Sequence, residues 1–193
     1  RFTLPHDDMV ASVVFSADGH RLVTASYDGS VRVWDAVTGS RVMTLTGRSE
    51  DGRIRYRKAV FGPTKDLIAA VHGDGSLADV WNARSGVRVI TLDNAGARGP
   101  DVDLAVSQDG RWLAVAGQGP HVQIWDTSDW THVVRLPAHD VPSIAFDPAR
   151  PRIATVSRSG VAAIWDLAGG HRLVTLQDAG EPMDHVAYSP DGA

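Results

Sequence analysis

No cysteine occurs anywhere in this chain. Disulfides, thiolate metal sites and a cysteine nucleophile are therefore excluded. The absence fits a cytosolic protein, and a cytoplasmic location is the expectation it sets. Lysine is scarce: 2 lysines stand against 17 arginines. With abundant Ala, Val, Gly and Asp, that bias suggests a GC-rich, bacterial coding source. No apolar run approaches the roughly 20 residues of a membrane helix, so no membrane partner is expected. No charged-then-apolar leader opens the chain. It begins Arg1-Phe2-Thr3-Leu4 without a methionine and reads as a piece of a longer protein. A surplus of positive charge is missing too: the formal net charge is −4. A nucleic-acid partner would need a strongly basic surface and is not expected. Nowhere does a stretch of roughly 10–15 residues show helical amphipathic spacing.

What is present is a repeat. Four segments end in Trp followed by Asp or Asn, at Trp34, Trp81, Trp125 and Trp165, spaced 47, 44 and 40 residues apart. The same series of short apolar stretches precedes each Trp. In the first copy these are Val10–Phe15, Leu22–Ala25 and Val31–Trp34, with Arg41–Leu45 after the Trp. Asp18-Gly19, Asp28-Gly29 and Thr38-Gly39 separate them as turn dipeptides. Val31-Arg32-Val33-Trp34 alternates apolar and polar residues, as a half-buried strand requires. Four short antiparallel strands per repeat make one blade of a β-propeller. The expected fold is all-β, with about four full blades of four strands over residues 1–193. The blades are placed at about 9–45, 57–92, 101–136 and 141–176, with partial strands at 1–4 and 183–193.

Four in-phase Trp-Asp/Asn pairs with this strand pattern resemble the WD-repeat (WD40) family over essentially the full chain. The resemblance implies a buried tetrad in each blade: His before the first strand, Ser or Thr in the second, Asp in the turn and Trp in the third. Copy one matches with His6, Thr24, Asp28 and Trp34. The chemistry is sensible, because a buried carboxylate needs donors and a buried indole N–H needs an acceptor. The other copies depart from it. Copy two keeps Trp81 and Asp74, but has Arg48 and Ala70 at the His and Thr positions. Its turn-to-Trp spacing is one residue longer, which suggests a bulge. Copy three keeps only Trp125, with Val115 and Gly119 replacing Thr and Asp. Copy four has His139, Thr155 and Trp165, with Ser159 replacing Asp and the His two residues closer to the first strand.

No catalytic constellation emerges. The eight histidines are spread over different repeats without an HExxH pair, so no metal or cofactor is expected. Asp101-Val102-Asp103 lacks the glycine and distal glutamate of a calcium loop. The Asp-Gly pairs recur in phase, as turns do. The chain is therefore not expected to be an enzyme. A basic run, Arg48, Arg53, Arg55, Arg57 and Lys58, lies in the loop before the second blade, with Glu50 and Asp51 among it. Arginine suits interface anchoring and carboxylate recognition. The resemblance also implies which residues point to the partner-binding face: Met9, Tyr27, Arg55, Gln118, Asp140 and Arg158. With Arg53 and Arg57 these are the candidate partner-binding residues.

The expected function is a protein- or peptide-binding scaffold, a regulatory propeller of a larger, signalling protein. The alternative is a small-ligand or enzymatic propeller using the central channel. Self-association that completes the ring is a further expectation.

Overall fold

The computed structural model describes residues 2–47, 54–63, 66–93, 99, 101–177 and 181–192. Among these residues are sixteen strands in four sheets. Blade one holds β1 (Val10–Phe15), β2 (Arg21–Ser26), β3 (Ser30–Asp35) and β4 (Arg41–Thr46). Blade two holds β5 (Tyr56–Phe61), β6 (Leu67–His72), β7 (Leu77–Asn82) and β8 (Arg88–Asp93). Blade three holds β9 (Asp103–Val106), β10 (Trp112–Ala116), β11 (Val122–Asp126) and β12 (His132–Leu136). Blade four holds β13 (Ser143–Phe146), β14 (Arg152–Val156), β15 (Val161–Asp166) and β16 (Arg172–Gln177). Each sheet is an antiparallel meander in sequence order.

Alternation along the middle strands decides which neighbour each side chain meets. From blade one, Val23, Ala25, Val31 and Val33 pack against Ile68, Ala70 and Trp81 of blade two. Ala69, Val71 and Val80 on the reverse face of blade two meet Leu113, Val115 and Trp125. Ala114, Ala116 and Ile124 in turn meet Ile153, Ala163 and Trp165 of blade four. Each blade thus offers an indole face to the blade before it and an aliphatic face to the blade after it. Trp34, Trp81, Trp125 and Trp165 are all buried, none more than 4% exposed.

The register shifts at the same place in every blade, between the third strand's Trp and the residue before it. This bulge sets Trp34, Trp81, Trp125 and Trp165 opposite Arg41, Arg88, His132 and Arg172. The extra residue of copy two makes no strand bulge. Val71 pairs with Ala78 in an unbroken β6–β7 ladder, so the turn between them absorbs it. In blade one the corresponding turn closes through Gly29, at φ +84. A Cβ there would also stand 3.1 Å from the Ile54 carbonyl, so both conformation and close approach favour glycine.

The first strands, toward the centre, are stitched by one recurring position: Ser12, Lys58, Asp103, Ser143 and, in the last segment, His185. Ser12 Oγ accepts from the Ala59 N–H of the next blade at 3.1 Å. Lys58 pairs with Asp103, and Asp103 accepts from the Ile144 N–H at 2.8 Å. Ser143 Oγ accepts from the Val186 N–H at 3.3 Å.

Neither end segment forms the expected strand. Residues 2–4 and 183–192 have no ladder partner among the described residues, and a strand exists only where another supplies its hydrogen bonds. Phe2 folds onto Gly39 instead. Val186 and Met183 are held by isolated bonds to Ser143 and Ser157. Two sheet faces are left with exposed apolar side chains. Val13 and Phe15, on the Trp34 side of blade one, are 58% and 62% exposed. Val174 and Leu176, on the far side of blade four, are 42% and 59% exposed.

Trp34→Ala should lower stability by about 3–5 kcal/mol in denaturant unfolding, the range for deleting a buried Trp. A loss below about 1 kcal/mol would contradict this placement of the ring.

Candidate functional site

In blade one the tetrad residues meet. Trp34 Nε1 donates to Thr24 Oγ1 at 2.9 Å. The same hydroxyl lies 2.7 Å from His6 Nε2, and His6 Nδ1 donates to Asp28 Oδ2 at 2.9 Å. Asp28 is the hub. It also accepts from the Ser30 N–H and hydroxyl, from the Asp7 N–H at 3.1 Å and from Arg32 at 3.0 Å. Burial pushes its carboxyl upward, but the donors at Ser30, Asp7 and His6 outweigh that and hold it well below the usual carboxylate range. Arg32 further bonds the Pro5 carbonyl at 2.6 Å and Asp7 at 2.9 Å, pinning the entering segment onto the blade.

Blade two builds a different hub. Asp74 caps its own turn, accepting from the Ser76 N–H at 3.0 Å and hydroxyl at 2.8 Å, and takes no part in the core. The buried carboxylate is Asp79, 1% exposed in the middle of β7. It accepts from Tyr56 at 2.6 Å, from His72 at 2.9 Å and from Thr91. Arg88 stands 3.5 Å away. Desolvation raises Asp79, but His72, Thr91 and Tyr56 together hold it below its ordinary value. Burial and the same carboxylate push the Tyr56 phenol strongly up, so it stays a donor. Tyr56 closes the site edge-on against Trp81, 5.8 Å between ring centroids. The signal for this network is an ionisable residue two before the Trp, on an inward position of an alternating strand. That position carries Arg32, Asp79, Gln123 and Ala163 in the four blades.

Blade three buries Trp125 with Val115 and Gly119 at the positions of Thr24 and Asp28. In blade four, Trp165 Nε1 donates to Thr155 Oγ1 at 2.9 Å. His139 does not join them. It is exposed and has no hydrogen bond among the described residues. The reason is the shorter entry loop: Asp140, at φ +51, occupies the position of Met9, so Pro137 stands where blade one has His6. A tetrad role for His139 is corrected accordingly.

The residues implied for partner binding divide into two groups. In the first, Tyr27 of blade one and the arginines of blade two converge. Arg57 donates to the Tyr27 hydroxyl at 2.9 Å, and the Arg55 guanidinium lies 5.6 Å from the ring centroid. Met9, 54% exposed, is tied to Tyr27 by a 2.9 Å backbone bond. Neither Arg55 nor Arg57 has a carboxylate partner among the described residues. Arg53 and Arg48 lie outside those residues. In the second group Arg158 is already neutralised, by Asp101 at 3.0 Å and Asp184 at 3.1 Å. Asp140 accepts the Arg158 N–H through its carbonyl at 3.1 Å, and Gln118 is exposed beside Gly99. Among the described residues, no three His, Cys, Asp or Glu side chains are grouped to hold a metal ion.

The family model described as WD domain, G-beta repeat matches residues 1–35, 88–126 and 130–166, more than half of the chain. The chain belongs to the WD40 family. The WD40 matches leave out 36–87, most of blade two, where the hub has moved from the turn to Asp79. Among curated relatives, Protein LST8 homolog of Drosophila melanogaster is 25% identical over 89% of this chain and 54% of that protein. Guanine nucleotide-binding protein subunit beta of Arabidopsis thaliana is 23% identical over 97% of this chain and 64% of its own length. An uncharacterized WD repeat-containing protein of Synechocystis is 33% identical over 62% of this WD40 chain and 37% of that protein. The chain thus spans about half the length of these relatives.

Asp28 sits below the 3.8 of an unperturbed carboxyl, and Asp79 is lowered too. Their folded values lie under the unfolded ones, so their contribution is complete above about pH 4 and is lost as pH falls through the folded values. Asp28→Asn should lower stability at neutral pH and flatten the acid limb of a stability–pH curve. A variant with the wild-type acid limb would contradict this hub.

Proposed function

We propose that this WD40 chain is a non-enzymatic docking module whose blade-one and blade-two rim binds a protein or peptide segment. The observation that carries the proposal is the corner at Tyr27. Two arginines of blade two are gathered on an aromatic ring of the preceding blade, with an exposed methionine beside it and, among the described residues, no acid to neutralise them. Tyr27 sits on a turn, Arg55 just before β5 and Arg57 at the start of β5, so the sheet holds all three side chains at its rim. Aromatic, Arg and Met side chains are the types enriched at interface cores. Two guanidinium groups side by side favour a segment carrying Asp or Glu. Relatives named as subunits, such as the guanine nucleotide-binding protein subunit beta, support a role within an assembly. A regulatory or signalling parent protein of bacterial, cytoplasmic origin completes the reading.

Self-association is a second reading, favoured by the exposed faces at Val13 and Phe15 and at Val174 and Leu176. One is an indole-type face and the other an aliphatic-type face, the same two kinds that meet between blades. Light scattering at micromolar concentration tests it: a dimer supports it and a monomer retires it.

Docking at the corner is tested by panning a random-peptide library on the whole chain. Enriched peptides should be acidic, and should weaken with salt because the contacts are exposed. Binding should vanish in Arg55→Ala/Arg57→Ala at an unchanged melting temperature. Peptides that bind this double variant as well as the parent would contradict the site.

A further inference from the structure

Blades one and two each enclose a carboxylate among hydroxyl, imidazole and guanidinium donors, but among its described residues blade four has the donors alone. A cavity of about 150 Å³ lies there. That is room for about five waters. Its walls include His139, Thr155, Ser157, Ser159, Trp165 and Arg172, and among the described residues no acidic side chain lines it. Three substitutions along the chain open it. Ser159 stands where blade one has Asp28, Ala163 stands where it has Arg32, and the short loop withholds a histidine from the His6 position.

Among the described residues this donor set has no anion. Thr155 Oγ1 accepts the Trp165 indole proton, leaving its own hydroxyl proton for another acceptor. Ser157 and Ser159 share one bond between their hydroxyls. Two hydroxyl protons with one shared contact leave one to donate elsewhere. Arg172 lies over the Trp165 ring, 5.8 Å from its centroid, and no carboxylate pairs with it among the described residues. The corresponding arginine of blade two, Arg88, faces the Asp79 carboxylate. His139, released from the tetrad, stands exposed on the same wall.

We propose that this blade-four cavity is a carboxylate-binding site, filled from outside the chain as Asp28 and Asp79 fill blades one and two from within. The group it takes is a carboxylate on a short stem, either a free small acid or the side chain of an Asp or Glu on a partner. The site is separate from the Tyr27 corner and stands or falls without it.

The indole N–H resonance of Trp165, assigned by its loss in Trp165→Phe, reports on the cavity. The full chain is titrated at constant ionic strength with acetate, with a blocked Gly-Asp-Gly peptide, and with acetamide and blocked Gly-Asn-Gly as neutral counterparts. The expected result is a saturable shift with acetate, with a Kd on the order of millimolar. Acetamide should leave the resonance in place. Arg172→Gln, an exposed position, should weaken acetate about two- to fivefold, the range for a solvent-screened charge contact. Ser159→Asp should abolish the response by supplying the carboxylate in cis. A shift with the Asp peptide as well assigns a partner side chain as occupant. A shift with acetate alone assigns a free small acid. No saturable shift with either acid, equal shifts from acid and amide, or a Ser159→Asp variant that still responds would each overturn the proposal.

Discussion

Each blade must bury one indole and each buried indole carries an N–H that water no longer serves. The ring supplies apolar area to the junction with the preceding blade, and Trp81, Trp125 and Trp165 all sit in such junctions. The N–H then restricts what stands beside it. In blades one and four the acceptor is a threonine hydroxyl in the second strand, at 2.9 Å in both. The bulge before each Trp places the ring against the fourth strand as well. The indole's position, with strand alternation, makes the two faces of each blade unlike.

The carboxylate hub is a second layer, and it is movable. Blade one places it in the turn, at Asp28. Blade two places it in the third strand, at Asp79, with His72 and Tyr56 reaching it from the second and first strands. Both satisfy one rule: a buried carboxylate needs several donors. The hub can therefore shift by a strand without harm to the fold, provided the donors move with it. Blade four keeps hydroxyl donors but has Ser159 and Ala163 at the Asp28 and Arg32 positions and no histidine at the His6 position, and these changes open its cavity.

Periodicity was legible because it is local. The Trp spacing, the turn dipeptides and the apolar alternation all lie within a few residues of one another, and the four sheets follow them closely. Pairing and packing are not local. Phe2-Thr3-Leu4 has the composition of a strand, yet no strand forms there against the described residues. His139 has the residue type of a tetrad histidine, yet a loop shorter by two residues carries it past Thr155. Asp79 was readable in principle, as a charge on an inward position of β7, but its partners Tyr56 and Thr91 are far along the chain. The Tyr27 corner shows the same division. The sequence marks the arginines as candidates, but only the fold brings Arg57 of one blade to the hydroxyl of another and ties Arg158 to two acids.

Native-state hydrogen exchange of the indole protons tests the central claim most directly. If the Trp34 and Trp165 N–H groups are locked to Thr24 and Thr155 inside packed blades, they should exchange in step with the slowest amides of β2, β3, β14 and β15. Indole protons exchanging at the rate of free tryptophan while those strands remain protected would contradict it.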